Sequence, residues 1–180
     1  QIQTIIDHIQ SHTPWVDYRK TRDFILIDGG GSEVSQVAVC WVATMKVIEE
    51  CIRQDIHFII SHENCLYVET TAPYKTMKDL RDQKIKLCQK HQITISRCHD
   101  GWDQFPVYGV ADSLARSTGI PFDERPVSSF YHYATIEKEN VSELAEKLAK
   151  ALKPHGCGYV EILGDPDQRV TKLGMGVGAA

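Results

Sequence analysis

Apolar positions in the first two thirds of the chain alternate between short β-branched runs and helical spacing. The runs 37–42 and 57–61 flank a segment, 44–54, in which apolar residues recur every three or four positions. Strand, helix and strand in so short a span form a βαβ unit, which implies parallel strands joined by a right-handed crossover. The pattern therefore predicts a mixed α/β fold.

The same rhythm continues on both sides of this unit. A helix over 2–9, a strand over 24–27 and a turn over 28–31 precede it. A helix marked by Met77, Leu80, Leu87 and Cys88, a strand over 93–98, and a helix marked by Val107, Val110, Ala111 and Leu114 follow it. The last helix is expected to stop at Gly119, since glycine ends helices and Pro121 lies just beyond.

The pattern changes near Pro126, which divides the chain into a βαβ domain at 1–125 and a second layer or subdomain at 126–180. The second part reads as a strand over 128–136, a helix, and strands over 159–163 and 169–173, in the order β-α-β-β. Asn140 and Glu143 stand at the spacing of a capping box for the helix. The glycine-rich end, 174–180, leaves the last strand uncovered, and we expect this subdomain to be cut short there.

Composition excludes some classes of function. A formal charge of −4 and a pI near 6.1 argue against a general nucleic-acid or anionic-membrane binder. No apolar run approaches the roughly 18 residues of a membrane span. The six cysteines form no CxxC pair, and we expect reduced thiols and a cytoplasmic protein. Because the chain starts at Gln1 without a secretory signal, an exported mature form is the alternative.

The candidate chemistry lies where two predicted strands end. The strand over 57–61 runs into His62 and Glu63, and the strand over 93–98 runs into His99, Asp100 and Asp103. Parallel strands bring their carboxyl ends to one edge of the sheet, about 4.8 Å apart. The two imidazoles can then reach one ion, or two ions that share a bridging carboxylate.

These ligand types suit Zn, Fe, Mn, Ni or Co. We expect His62, Glu63, His99 and Asp103 to hold the metal, with Asp103 as the bridge and Glu63 as a terminal ligand. Asp100 is either a ligand or an acceptor that orients His99. The alternative is that both histidines are ordinary hydrogen-bonded residues, and spacing does not decide between the two.

Several segments resemble the Nif-three-like dinuclear-metal family, also catalogued as GTP cyclohydrolase I type 2 homologues. The stretch 59–64 resembles the family's strand end, 42–50 its helix start, 99–103 its H-x-x-x-D ligand pair, and 164–170 its "GDP…V" turn. The resemblance runs from about Thr21 to Ala180.

The resemblance implies a dinuclear metal site, with His62, His99 and Asp103 at ligand positions. It also implies a ring-like homo-oligomer, commonly a hexamer, and a small-molecule substrate such as a purine nucleotide. Two departures stand out. The family's usual His-His pair is His62-Glu63 here, and its last ligands, a His and a Glu, have no counterpart in this sequence.

Three functional hypotheses follow. In the first, the protein is a metal-dependent hydrolase in which hydroxide attacks C8 of a purine, and Glu63 or Asp100 shuttles protons if it is not a ligand. In the second, it is a non-catalytic metal-binding regulatory or interaction module. In the third, it is a metal-free α/β scaffold.

Other residues were weighed for chemistry. Cys65 and Cys98 flank the histidines as candidates for a mixed zinc site, although strand neighbours point to opposite faces. The turn 28–31 lacks the Lys-Ser/Thr of a phosphate loop, which favours a plain turn. We expect His132 to be structural. Trp102 is expected in a wall of the core, with substrate stacking as its alternative.

Overall fold

The computed structural model describes residues 1–66, 75–126 and 129–178, without the side chains of 75–77. Their contacts divide the chain into two compact units, Gln1–Trp102 and Asp103–Ala180. This division falls earlier in the chain than the change of pattern at Pro126. No helix in the described part of the chain is long and apolar enough to cross a membrane.

The first unit is a four-stranded sheet with helices. Its elements, with a short helix that runs into the second unit, are α1 (Ile2–Ser11), β1 (Ile25–Ile27), β2 (Ala38–Cys40), α2 (Met45–Arg53), β3 (Phe58–Ser61), α3 (Lys75–Lys90), β4 (Thr94–Arg97) and α4 (Asp100–Asp103). The strand order is β1-β4-β3-β2. β2, β3 and β4 are parallel, which confirms the predicted βαβ pairing, and β1 is antiparallel to β4.

The core lies where α2 and α3 meet the sheet. Ile48 and Cys51 of α2 and Cys88 of α3 are buried there with the apolar residues of β3 and β4. Thr44 starts α2, because its hydroxyl accepts the Val47 N–H. All six cysteines are free thiols, as expected.

One lysine is buried in this core and ties two loops together. Lys84 donates from Nζ to the backbone carbonyls of Ala43, at 3.0 Å, and Cys65, at 2.8 Å. Ala43 precedes α2 and Cys65 lies soon after β3, so one ammonium group holds both loops beside the carboxyl end of β3.

The turn after β1 is structural. The Gly30 N–H donates to Asp28 Oδ1 at 2.8 Å. A Cβ on Gly29 would lie 2.5 Å from the backbone of Ile93, so only glycine fits this close approach. This supports the plain turn rather than a phosphate loop.

The second unit contains α5 (Val110–Thr118), β5 (His132–Asn140), α6 (Val141–Leu152), a 3-10 turn (Lys153–His155) and β6 (Arg169–Met175). β5 and β6 pair antiparallel, and α5 and α6 are in contact. Gly119 ends α5 in the left-handed conformation, and the capping box of Asn140 and Glu143 starts α6, both as predicted. His132 is buried and donates to Asp112, which agrees with a structural role.

Two predictions about elements were wrong. The stretch 159–163 forms no strand within the described part of the second unit, and Leu163 is 90% exposed. A β-rich stretch becomes a strand only where a neighbour accepts and donates its backbone hydrogen bonds, and here β6 pairs with β5 instead. Val107 lies outside α5 with a φ of +70°, because its N–H is bound by Asp112 and the helix begins after Gly109.

Some expectations fall on residues that lie outside the described part. These are the burial of Met77, the start of the predicted strand at Ser128 and the end of the chain at 179–180.

Candidate metal centre

The backbone brings the ends of β3 and β4 level with each other. Ser61 and Arg97 are register partners at the carboxyl ends of the two strands. Backbone hydrogen bonds continue beyond the strand ends. The N–H groups of His62 and Glu63 donate to the carbonyls of Cys40 and Trp41, and the Cys98 N–H donates to the carbonyl of Ser61. The residues that follow the two strands are therefore held in place by backbone hydrogen bonds.

His62, Glu63 and His99 form a group whose candidate ligand atoms all lie within 4.8 Å of one another. It is the one such group of His, Cys, Asp or Glu in residues 1–66, 75–126 and 129–178, and neither Cys65 nor Cys98 belongs to it. The two imidazole rings are stacked, with centroids 4.6 Å apart. His99 Nε2 lies 3.9 Å from Glu63 Oε1. The structure thus brings together three of the four predicted ligands.

Asp100 orients His99 from outside this group. Its Oδ1 lies 2.9 Å from His99 Nδ1, and its Oδ2 accepts a hydrogen bond of 2.7 Å from the Thr21 hydroxyl. Burial raises the pKa of Asp100, but the bonds from Thr21 and His99 and the charge of Arg97 together hold it below its usual value. An ionised carboxylate only accepts hydrogen bonds, so it pairs with Nδ1–H and leaves Nε2 on the side of Glu63.

Asp23 fixes the backbone of the same loop. It is buried, and its two carboxylate oxygens accept the N–H groups of His99, at 2.9 Å, and Gly101, at 3.0 Å. Asp23 was not among the predicted site residues. It precedes a predicted strand with no feature that connects it to a loop 76 positions away.

Arg97 places a positive charge against the ligand group. Its Nη2 lies 3.5 Å from Glu63 Oε2, and its Nε donates to the backbone carbonyl of His62 at 3.3 Å. The side chain of Arg97 is only 12% exposed. Arg97 was not among the predicted site residues either, although an arginine inside an apolar strand is a signal that it has a partner.

Trp41 covers His62. The two rings are stacked, with centroids 4.2 Å apart and an interplanar angle of 27°. Trp41 itself is 60% exposed, so three aromatic rings lie in a row from the surface to His99.

The predictions for Asp103 and Trp102 have different outcomes. Asp103 is buried and begins the second unit, and its place among the ligands stays a prediction. Trp102 is 45% exposed, so the expectation that it forms a wall of the core was wrong.

The residues present fit a divalent metal ion. Two imidazoles and one carboxylate are ligands that Zn, Fe, Mn, Ni and Co accept. A ligating histidine usually gives its other ring N–H to a carboxylate, as His99 gives to Asp100. The group therefore has both the ligands and the supporting contact that a metal site requires.

The fold is shared with several solved structures. The Bacillus cereus protein related to NIF3 is 13% identical, with a TM-score of 0.68 over 99% of this chain and 76% of that chain. The hypothetical protein SA1388 of Staphylococcus aureus is 17% identical, with a TM-score of 0.65 over 97% and 70%. Reduced HcgD from Methanocaldococcus jannaschii is 16% identical, with a TM-score of 0.57 over 82% and 58%.

These likenesses define the fold class, a mixed α/β protein whose sheet contains parallel strands. The chain belongs to the Duf34/NIF3 (NGG1p interacting factor 3) family, whose model matches residues 1–180. No curated protein matched the sequence significantly. The family resemblance found in the sequence is thereby confirmed.

Proposed function

We propose that this protein is a metal-dependent hydrolase of the GTP cyclohydrolase type, whose centre holds a divalent ion through His62, Glu63 and His99. The convergence of these three side chains at one edge of the sheet carries the proposal. Three protein ligands leave a coordination position for water or substrate, which is typical of catalytic rather than structural zinc sites.

The chain's own residues would prepare this centre for hydrolysis. A bound divalent ion lowers the pKa of water and polarises a carbonyl, amidine or phosphoryl group. Asp100 holds the Nδ1 proton of His99 and so keeps Nε2 directed at the group. Glu63 is the candidate proton acceptor whenever its carboxylate is not engaged as a ligand, and Asp100 is the candidate for a later proton transfer.

The family resemblance supports the finer parts of the proposal. They are a purine nucleotide as substrate, a second ion with Asp103 as its bridging ligand, and a ring-like homo-oligomer. A cytoplasmic location belongs to the same proposal, and the free thiols of the described residues support it.

Elemental analysis of the purified protein tests the centre, with His99→Ala as the variant and His57→Ala as its control. His57 precedes β3 at the opposite edge of the sheet and bonds to Asp55. We expect metal in the wild type and in His57→Ala, and at least a tenfold loss in His99→Ala. Metal-free wild-type protein, after purification with added zinc, iron or manganese, would contradict the proposal.

Turnover separates the hydrolase from a regulatory module. We expect release of formate from GTP to stop when a chelator removes the metal and to return with one divalent ion. Turnover that a chelator leaves unchanged excludes metal-dependent hydrolysis. Stoichiometric metal without turnover of any purine nucleotide would favour the non-catalytic module instead.

A further inference from the structure

Arg97 is anchored inside the ligand group rather than at its margin. It is the last residue of β4, its backbone N–H donates to Phe24, and its Nε donates to the carbonyl of His62. Only 12% of the side chain is exposed. The guanidinium is permanently charged, so the group contains a built-in cation in every state of the protein.

The carboxylate of Glu63 lies between this cation and the candidate metal position. Its Oε1 is 3.9 Å from His99 Nε2, and its Oε2 is 3.5 Å from Arg97 Nη2. A carboxylate that bridges two metal ions in a dinuclear centre offers one oxygen to each, with the ions about 3.5–4 Å apart. Here one oxygen faces the imidazole and the other faces the guanidinium.

We infer that the Arg97 guanidinium takes the place of a second metal ion, so that the centre of this chain holds one divalent ion. This rests on the proposed function only in that the centre binds metal, and it replaces the second ion that the family resemblance implies. A second ion that shared Glu63 would have to displace a guanidinium anchored by the His62 carbonyl. It would also add two positive charges to a site that already balances Glu63 with Arg97.

The same charge weakens the binding of the one ion that the centre takes. Repulsion between a divalent ion and a guanidinium a few ångströms away amounts to about a tenfold change in affinity even in the dielectric of water. Removing the charge of Arg97 should therefore tighten metal binding, which is the reverse of what loss of a supporting contact would do.

Zinc titration of the metal-free full chain by isothermal calorimetry tests the inference, and it reads stoichiometry and Kd without reference to activity. We expect one ion per chain for the wild type. Arg97→Gln should lower the Kd at least tenfold, whereas Arg97→Lys, which keeps the charge, should stay within about threefold of the wild type.

Arg53→Gln is the matched control, because Arg53 forms an exposed ion pair with Glu50 on α2. This variant also removes one positive charge and one ion pair with a glutamate, but away from the centre. Its Kd for zinc should therefore equal that of the wild type. Circular dichroism of each metal-free variant checks that it is folded, and Arg97→Met, which also removes the charge, replaces Arg97→Gln if that variant is unfolded. A Kd for Arg97→Lys more than tenfold weaker would then mean that geometry matters rather than charge, and would overturn the inference.

The outcomes are distinct. Two ions per wild-type chain, or an Arg97→Gln variant that binds no more tightly than the wild type, overturns the inference and leaves the proposed function standing. No zinc binding by the wild type overturns both.

Discussion

Asp23 shows how one buried carboxylate can position a ligand that lies far away in the chain. Both of its oxygens accept backbone N–H groups, from His99 and Gly101, on the loop that presents His99. Asp23 is almost wholly buried, and its hydrogen bond with the Gly101 N–H is buried as well. Hydrogen bonds to a charged acceptor in such a place are among the stronger ones in proteins.

Asp23→Asn should lower the free energy of unfolding by about 2 kcal/mol, because the amide NH2 would face one of the two N–H donors. Urea denaturation followed by circular dichroism measures this change. Asp28→Asn is the control, since Asp28 is exposed and needs only the one acceptor oxygen that asparagine keeps for Gly30. Equal losses in the two variants would show that Asp23 has no special role in holding the loop.

At the scale of elements, the level ends of β3 and β4 create the candidate centre. A shift of the register by one residue would turn His62 or His99 to the other face of the sheet. The βαβ connections make these strands parallel, and their backbone bonds continue past the strand ends to His62, Glu63 and Cys98. The ligand group is thus a consequence of sheet register together with the loop that Asp23 holds.

The capping box of α6 predicts a local stability effect. Glu143 accepts the Asn140 N–H at 3.2 Å and satisfies a donor that the helix leaves open at its start. Glu143→Ala should lower the free energy of unfolding by about 1 kcal/mol. Glu146→Ala, an exposed position on the same helix, is the control and should change it by less than about 0.5 kcal/mol. The urea midpoints of the two variants provide the comparison. A larger loss of stability in Glu146→Ala than in Glu143→Ala would argue against the cap.

At the scale of the whole molecule, buried thiols make stability depend on alkaline pH. Burial raises the pKa of Cys40, Cys51 and Cys65, and it raises that of Cys88 to about 12. In the unfolded chain a thiol ionises near pH 9. Above that pH the unfolded state binds fewer protons than the folded state, so stability is fully present below about pH 9 and declines as the pH rises toward 12.

Cys88, whose pKa is raised to about 12, should contribute a slope approaching about 1.4 kcal/mol per pH unit within this window. Cys88→Ala should reduce the slope of unfolding free energy against pH between 9 and 11 by up to that amount, whatever its effect at neutral pH. Cys157→Ala, at an exposed position, should leave the slope unchanged. Denaturation curves at a series of pH values measure the slope of unfolding free energy against pH. Identical slopes for the wild type and Cys88→Ala would contradict the expectation.

Local sequence patterns were sufficient to predict the mixed α/β class, the parallel strands and the position of His62, Glu63 and His99 at one edge of the sheet. Periodicity and strand ends are local properties of the chain, and parallel pairing follows from βαβ connections. These patterns also predicted the cap of α6, because capping depends on residues three positions apart.

Contacts between distant segments determine which residues support the centre and which predicted elements form. Asp23, Arg97 and Trp41 reach the ligand group through contacts between distant segments, and no local spacing encodes such contacts. The stretch 159–163 has the composition of a strand, but a strand also needs a partner, and the partner is set by the packing of the second unit. Local patterns specify what a segment can become, whereas hydrogen-bond partners and packing specify what it does become.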